Sequence, residues 1–179
     1  MREDVKEILF SEEQISDKVK ELANRISYDY KDKNLLVVGV LKGSVLYAAE
    51  LIKNITVPCE IDFMAVSSYG NSTETSGVVR ILKDLDHSIE GKDILIVEDI
   101  VDSGVTLDYL LKYLKARKAN SINITTLLNK EARRKVDIDV KYVGFEVPDE
   151  FIVGYGIDYA EKYRNLPFIG ILKPEVYER

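Results

Sequence analysis

The stretch Leu35 to Leu41 carries no polar side chain and runs straight into Lys42-Gly43 and a helix-patterned segment, Ser44 to Ile52. A short apolar run without alternation reads as a strand buried on both faces, which antiparallel sheets with one wet face do not produce. Ile61 to Val66 reads as the next strand, completing a βαβ unit. The rhythm then returns. Asp93 to Val97 is an apolar strand, Thr106 to Arg117 a helix with Leu107, Leu110, Leu111 and Leu114 on one side, and Ile122 to Leu128 another strand. The fold class is therefore α/β, a mostly parallel central sheet flanked by helices. In front of it, Ser11-Glu12-Glu13-Gln14 reads as a capping box, and Ile15, Val19, Leu22 and Ile26 recur at helical spacing behind it. Ligands of such sheets bind beyond the carboxyl ends of the strands. The informative loops are those after Val40, Val66, Val97 and Leu128.

No repeat or Pro- or Ser-rich linker divides the chain, so residues 1–179 are expected to form one domain. A net charge of −6 argues against a nucleic-acid partner, because phosphate-backbone binding needs a surplus of Lys and Arg. Cys59 is the only cysteine, which excludes an intrachain disulfide and a Cys-based zinc site and suits a reducing compartment. It is expected to be a small buried hydrophobe. No stretch has the apolar length of a membrane span, and the expected location is cytoplasmic, without a membrane partner.

The segment Val97 to Thr106, VEDIVDSGVT, puts adjacent carboxylates at a strand end and a Ser-Gly-x-Thr turn before a helix. Carboxylates there need partners, which ribose hydroxyls or a hard cation supply. Gly104 allows close backbone approach, and exposed N–H groups at a helix start attract phosphate. The plain alternative is that Asp102 or Ser103 caps the helix. That leaves three clustered acids unexplained. Gly39 to Ser44 has a similar layout, but Lys42 precedes Gly43, so it is not a Walker A loop.

VEDIVDSGVT resembles the phosphoribosyl pyrophosphate signature of the type I phosphoribosyltransferases, and the other loops resemble their hypoxanthine-guanine branch. The resemblance runs from the first buried strand to Ile171, with the motifs in the family's order. It implies that fold, with a small hood and a flexible loop. It also implies transfer of a phosphoribosyl group from phosphoribosyl pyrophosphate to hypoxanthine or guanine, with Mg²⁺ as cofactor. In that reading Glu98 and Asp99 engage the ribose hydroxyls, and Ser103, Gly104, Val105 and Thr106 cradle the 5′-phosphate. Val105 stands where some members carry Lys and offers only its backbone. Asp102 lies near the purine N7 as general base. Lys42 and Gly43 form a pyrophosphate loop with a cis Leu41–Lys42 peptide, and Arg164 meets the same pyrophosphate. Lys130 reads the 6-oxo group, Phe151 stacks on the base, Ile152 contacts its edge through the backbone, and Asp158 sits near base and metal. The metal ligands are Glu98, Asp99 and Asp158. The polar stretch Ser67 to Gly77, with Ser68 and Tyr69, resembles the family's lid. A homodimer or homotetramer is implied. His87, in a polar loop, has no role. A transferase for xanthine or a pyrimidine, and an RNA-binding regulator on the same fold, remain open.

Overall fold

In the computed structural model, which describes residues 1–68 and 79–178, a first strand precedes the capping box: β1 spans Val5–Phe10. Ser11 then starts α1 (Glu12–Asp29). Its hydroxyl accepts from the Gln14 N–H at 3.2 Å, while its own N–H donates to Gln14 Oε1 at 2.9 Å. Two of the helix's unpaired N-terminal donors are thereby satisfied reciprocally. The buried stripe is the expected Ile15, Val19, Leu22 and Ile26, with Ala23.

The chain continues through β2 (Leu35–Leu41), α2 (Val45–Asn54), β3 (Cys59–Ser68), β4 (Val79–Lys83), β5 (Asp93–Val101), α3 (Val105–Lys115) and β6 (Ser121–Asn129). It ends with β7 (Tyr142–Glu146), β8 (Ile152–Val153), β9 (Ile169–Leu172) and α4 (Pro174–Tyr177). The larger sheet has the order β4-β3-β2-β5-β6-β7, parallel except for β4. Period-two alternation sends Leu35 and Val37 of β2, and Leu95 and Val97 of β5, toward α1 and α2. Leu36, Val38, Ile94 and Ile96 point the other way, onto Leu107, Leu110 and Leu114 of α3. Both faces are covered, as continuous apolar strands require.

A second, antiparallel sheet, β1-β9-β8, packs with Val153, Tyr163, Leu166, Phe168 and Leu172 in its own small cluster. This is the hood. It joins the beginning of the chain to its end, with Val5 opposite Leu172 and Phe10 opposite Ile169. Three features depart from the sequence reading. The apolar strand expected at 93–97 continues to Val101, because β6 keeps pairing with it out to Val101 opposite Asn129. β2, by contrast, pairs with β5 only as far as Gly39 opposite Val97. Glu98 and Asp99 therefore lie inside the overhanging last stretch of β5 rather than beyond it. Ser67 and Ser68, expected in a lid, are the last residues of β3, opposite Arg80 and Val79. Cys59 is half-buried rather than enclosed.

Candidate active site

The overhang of β5, the end of β2 and the start of α3 enclose a cleft of about 230 Å³, lined from one side by Val40, Leu41 and Gly43 and from the other by Glu98 to Gly104. Gly104 is the N-cap of α3 with φ of 81°, and Ser103 Oγ, one residue earlier, accepts from the Val105 N–H at 3.4 Å. Gly104 rather than Asp102 or Ser103 therefore holds the cap position, although the Ser103 hydroxyl still reaches the first N–H of the helix. A Cβ on Gly104 would come within 2.8 Å of Ile138 Cδ1, so the turn is pressed onto residues 134–138. Its carbonyls are turned that way too. Ser103 O accepts from the Lys135 N–H at 2.9 Å and Asp102 O from Arg134 Nε at 3.1 Å. Ser103, Gly104 and Thr106 line the cleft, placing a helix start of the kind that binds phosphate at its edge.

Burial pushes the Asp99 carboxyl up to about 6. Burial, and then the charge of Asp99, push Glu98 well above the usual range. Both effects mark groups short of the partners an ionised carboxylate needs. Asp102 is short of one as well: its Oδ1 is buried without a hydrogen-bond partner. Gly43 is pressed against Asp99, since a Cβ there would lie 1.9 Å from Asp99 Oδ2. The Leu41–Lys42 peptide is cis, as the resemblance implied.

The hood delivers the third wall. After β8 the backbone turns through positive φ at Gly154, Tyr155 and Gly156, and a Cβ on Gly156 would stand 2.1 Å from Gly43 O. Arg164 donates to Gly156 O at 2.8 Å and pairs with Asp158 Oδ1 at 3.1 Å, while its Nε is buried without a partner. Glu161 bridges the two cations assigned to pyrophosphate, accepting from Lys42 Nζ at 2.8 Å and Arg164 at 3.2 Å. Lys130 is buried at the end of β6, where its Nζ donates to Glu150 O at 2.9 Å. Burial lowers its pKa, against the opposing charge of Asp102. Phe151 remains 38 % exposed, and the strand continues from it only through Ile152 and Val153.

Residues 6–160 match the phosphoribosyl transferase domain. The chain belongs to this phosphoribosyltransferase family. It is 59% identical over 178 residues to the hypoxanthine-guanine phosphoribosyltransferase of Bacillus subtilis (strain 168), covering 99% of each chain. It is 54% identical over 177 residues to the bifunctional protein TilS/HprT of Listeria monocytogenes, of which it spans 27%. Among solved structures, a hypoxanthine phosphoribosyltransferase from Staphylococcus aureus superposes with a TM-score of 0.97 at 54% identity, covering 100% of this chain and 97% of that one.

Not every residue assigned to this phosphoribosyltransferase site converges as expected. Asp158 is engaged by Arg164 and by the Glu161 N–H at 2.9 Å, and among the described residues no three potential metal ligands form a cluster. Glu98, Asp99 and Asp158 are therefore not a ready-made metal cage. Tyr69 and most of the expected lid lie outside the described residues. Glu161 was not singled out in the sequence, and it lies in a non-helical turn with φ of 61°, where three-residue spacing is no pairing signal.

The acids of this phosphoribosyltransferase shape its stability against pH. Asp99 titrates near 6 when folded and near 3.9 when unfolded, so the folded state binds the extra proton between those values. Stability should rise as pH falls from 7 toward about 5. Asp93 works in the opposite sense: burial raises it, but hydrogen bonds from Ser121 at 2.6 Å and Asn120 at 2.8 Å outweigh that and hold it low. Its contribution is present above about 3.9 and is lost in stronger acid. Urea midpoints should peak between about pH 4 and 5, and Asp99→Asn should make the neutral side shallower, leaving the part that the buried Glu98 contributes. An unchanged neutral limb in that variant would contradict the assignment.

Proposed function

We propose that the chain transfers the 5-phosphoribosyl group from phosphoribosyl pyrophosphate to hypoxanthine or guanine, giving IMP or GMP and pyrophosphate. The observation that carries this reading is the pair at the ends of β5 and β6. Asp102 holds a buried, unpartnered carboxylate oxygen, and Lys130 is a buried ammonium beside it. A 6-oxopurine matches both at once, with a carbonyl acceptor for Lys130 and a ring N–H for Asp102. Adenine presents an amino donor where Lys130 needs an acceptor.

Around this pair the other residues take complementary parts. The turn Ser103 to Thr106 receives the 5′-phosphate, with Val105 contributing its N–H, and Glu98 and Asp99 accept from the ribose hydroxyls. Lys42, the Gly43 backbone and Arg164 receive pyrophosphate, and the unpartnered Arg164 Nε supports that role. Phe151 stacks on the base and Ile152 meets its edge. Asp102 accepts the base proton as the purine nitrogen attacks the anomeric carbon and pyrophosphate leaves.

The donor set suits Mg²⁺, which binds through one or two carboxylates plus substrate phosphates rather than an all-protein cage. Glu98, Asp99 and Asp158 are the carboxylates that would hold it. When bound, it would neutralise charge on the departing pyrophosphate. Assembly into dimers or tetramers belongs to the same reading and is supported by the family resemblance. A cytoplasmic setting fits the lone Cys59, and among the described residues no helix is long and apolar enough to cross a membrane.

The test is ultraviolet-monitored nucleotide formation from hypoxanthine, guanine, xanthine, adenine and uracil, each with phosphoribosyl pyrophosphate and Mg²⁺. Turnover of hypoxanthine and guanine alone is the expected result. Uracil turnover alone would reassign the chain to a pyrimidine transferase. No turnover with any base, with an RNA gel shift, would make it a regulator.

A further inference from the structure

The C-terminal turn places an aromatic ring where the proposed reaction gives it work. Tyr177, the last residue of α4, stacks on Phe151 with ring centroids 4.7 Å apart and planes 22° from parallel. Tyr159 meets the same ring edge-on at 5.2 Å and 88°. Phe151 still leaves 38 % of its surface open, so the two tyrosines brace the ring without enclosing it.

The main chain under the ring is fixed on both sides. Phe151 O accepts from the Leu172 N–H at 2.8 Å, and Glu150 O accepts from Lys130 Nζ at 2.9 Å. Tyr177 is fixed as well. It packs with Val176 on the hood cluster of Val153, Tyr163 and Leu172, and the Lys173 N–H donates to Asp4 O at 2.9 Å.

We propose that Tyr177 is a positioning residue for base binding, holding Phe151 in the orientation in which its open face receives the purine. This rests on the reading of Phe151 as the stacking ring. An offset stack restricts the Phe151 rotamers before the base arrives, so the ordering cost falls on folding rather than on binding. The effect belongs to the base and not to phosphoribosyl pyrophosphate, whose residues lie on the β5 overhang, the turn into α3 and the Gly43 loop, with Arg164 alone on the hood side.

Steady-state kinetics of the full chain with Tyr177→Leu, Tyr177→Met and Tyr177→Phe test this, with melting temperatures alongside. Leu and Met should raise the KM for hypoxanthine roughly threefold to tenfold, the range an aromatic pair supplies, with the KM for phosphoribosyl pyrophosphate within about twofold of wild type. Tyr177→Phe should restore the wild-type value. In a Phe151→Leu background the Tyr177 substitutions should have little further effect on base KM. An unchanged base KM in folded Leu and Met variants would overturn the proposal. So would a lowered one, which would put Tyr177 in the place of the base, or an equal rise for both substrates. If Leu and Met both fail to fold, Tyr177 is structural and the proposal falls. Failure of wild type to turn over hypoxanthine would remove the substrate reading itself, and this inference with it.

Discussion

Asp102→Asn is expected to lower kcat by roughly 10²–10⁴-fold while leaving the KM values for base and phosphoribosyl pyrophosphate within a few-fold of wild type. The substitution preserves shape. The main chain on either side is pinned independently of the carboxylate, by Arg134 Nε on Asp102 O and the Lys130 N–H on Val101 O. The amide can still occupy the buried position where Oδ1 has no partner, but it cannot accept a proton. Loss confined to turnover assigns Asp102 to proton transfer, since a group acting only in the transition state changes kcat and not ground-state binding. Equal losses in kcat and in base affinity would make it chiefly a binding group. Initial-rate measurements at saturating and limiting base separate the two results.

What the sequence made legible was mostly local. The capping box at Ser11, the alternating faces of β2 and β5 and the phosphate turn at Gly104 each depend on residues close in sequence. Short-range sterics and hydrogen bonding decide such features. The hood was not readable from pattern in the same way. β1 reads VKEILF with no buried residue alternating along it, and its partner lies at the far end of the chain, from Ile169 to Leu172. Its identity as a strand comes from that distant pairing, which no short window contains. The same holds for the overhang of β5. Glu98 and Asp99 look like a strand terminus because charge interrupts the apolar run, yet β6 goes on pairing at Glu98, Ile100 and Val101. That extension holds the two acids at fixed positions against the cleft rather than on a free loop. Lys130 reversed its default reading too: a single lysine is ordinarily solvated, and only the fold encloses this one. Glu161 reaches Lys42 because the hood lies against the Gly43 loop, a meeting that spacing along the chain does not disclose.

That meeting of hood and loop leaves Gly156 little tolerance for a side chain. A Cβ there would stand 2.1 Å from Gly43 O, and the residue holds φ of 98°, outside the conformations L-residues adopt readily. Gly156→Ala adds about 1–3 kcal/mol of backbone strain to about 1–3 kcal/mol of overpacking. A chain of this length loses roughly 2–4 °C of Tm per kcal/mol, so the melting temperature should fall by roughly 5–20 °C. Activity should fall with it, because the obstructing atom belongs to the main chain of the proposed pyrophosphate loop and the Arg164 anchor is Gly156 O. Gly43→Ala provides the contrast. Its Cβ would meet the end of the Asp99 side chain at 1.9 Å, and a side chain can swing where a backbone carbonyl cannot. That variant should keep more of its thermal stability while losing activity through a displaced Asp99. Thermal melts and initial rates on both variants check the pair. A Gly156→Ala protein that melts within about 2 °C of wild type would show that hood and loop separate easily, and that this wall of the site is set by substrate rather than by the fold.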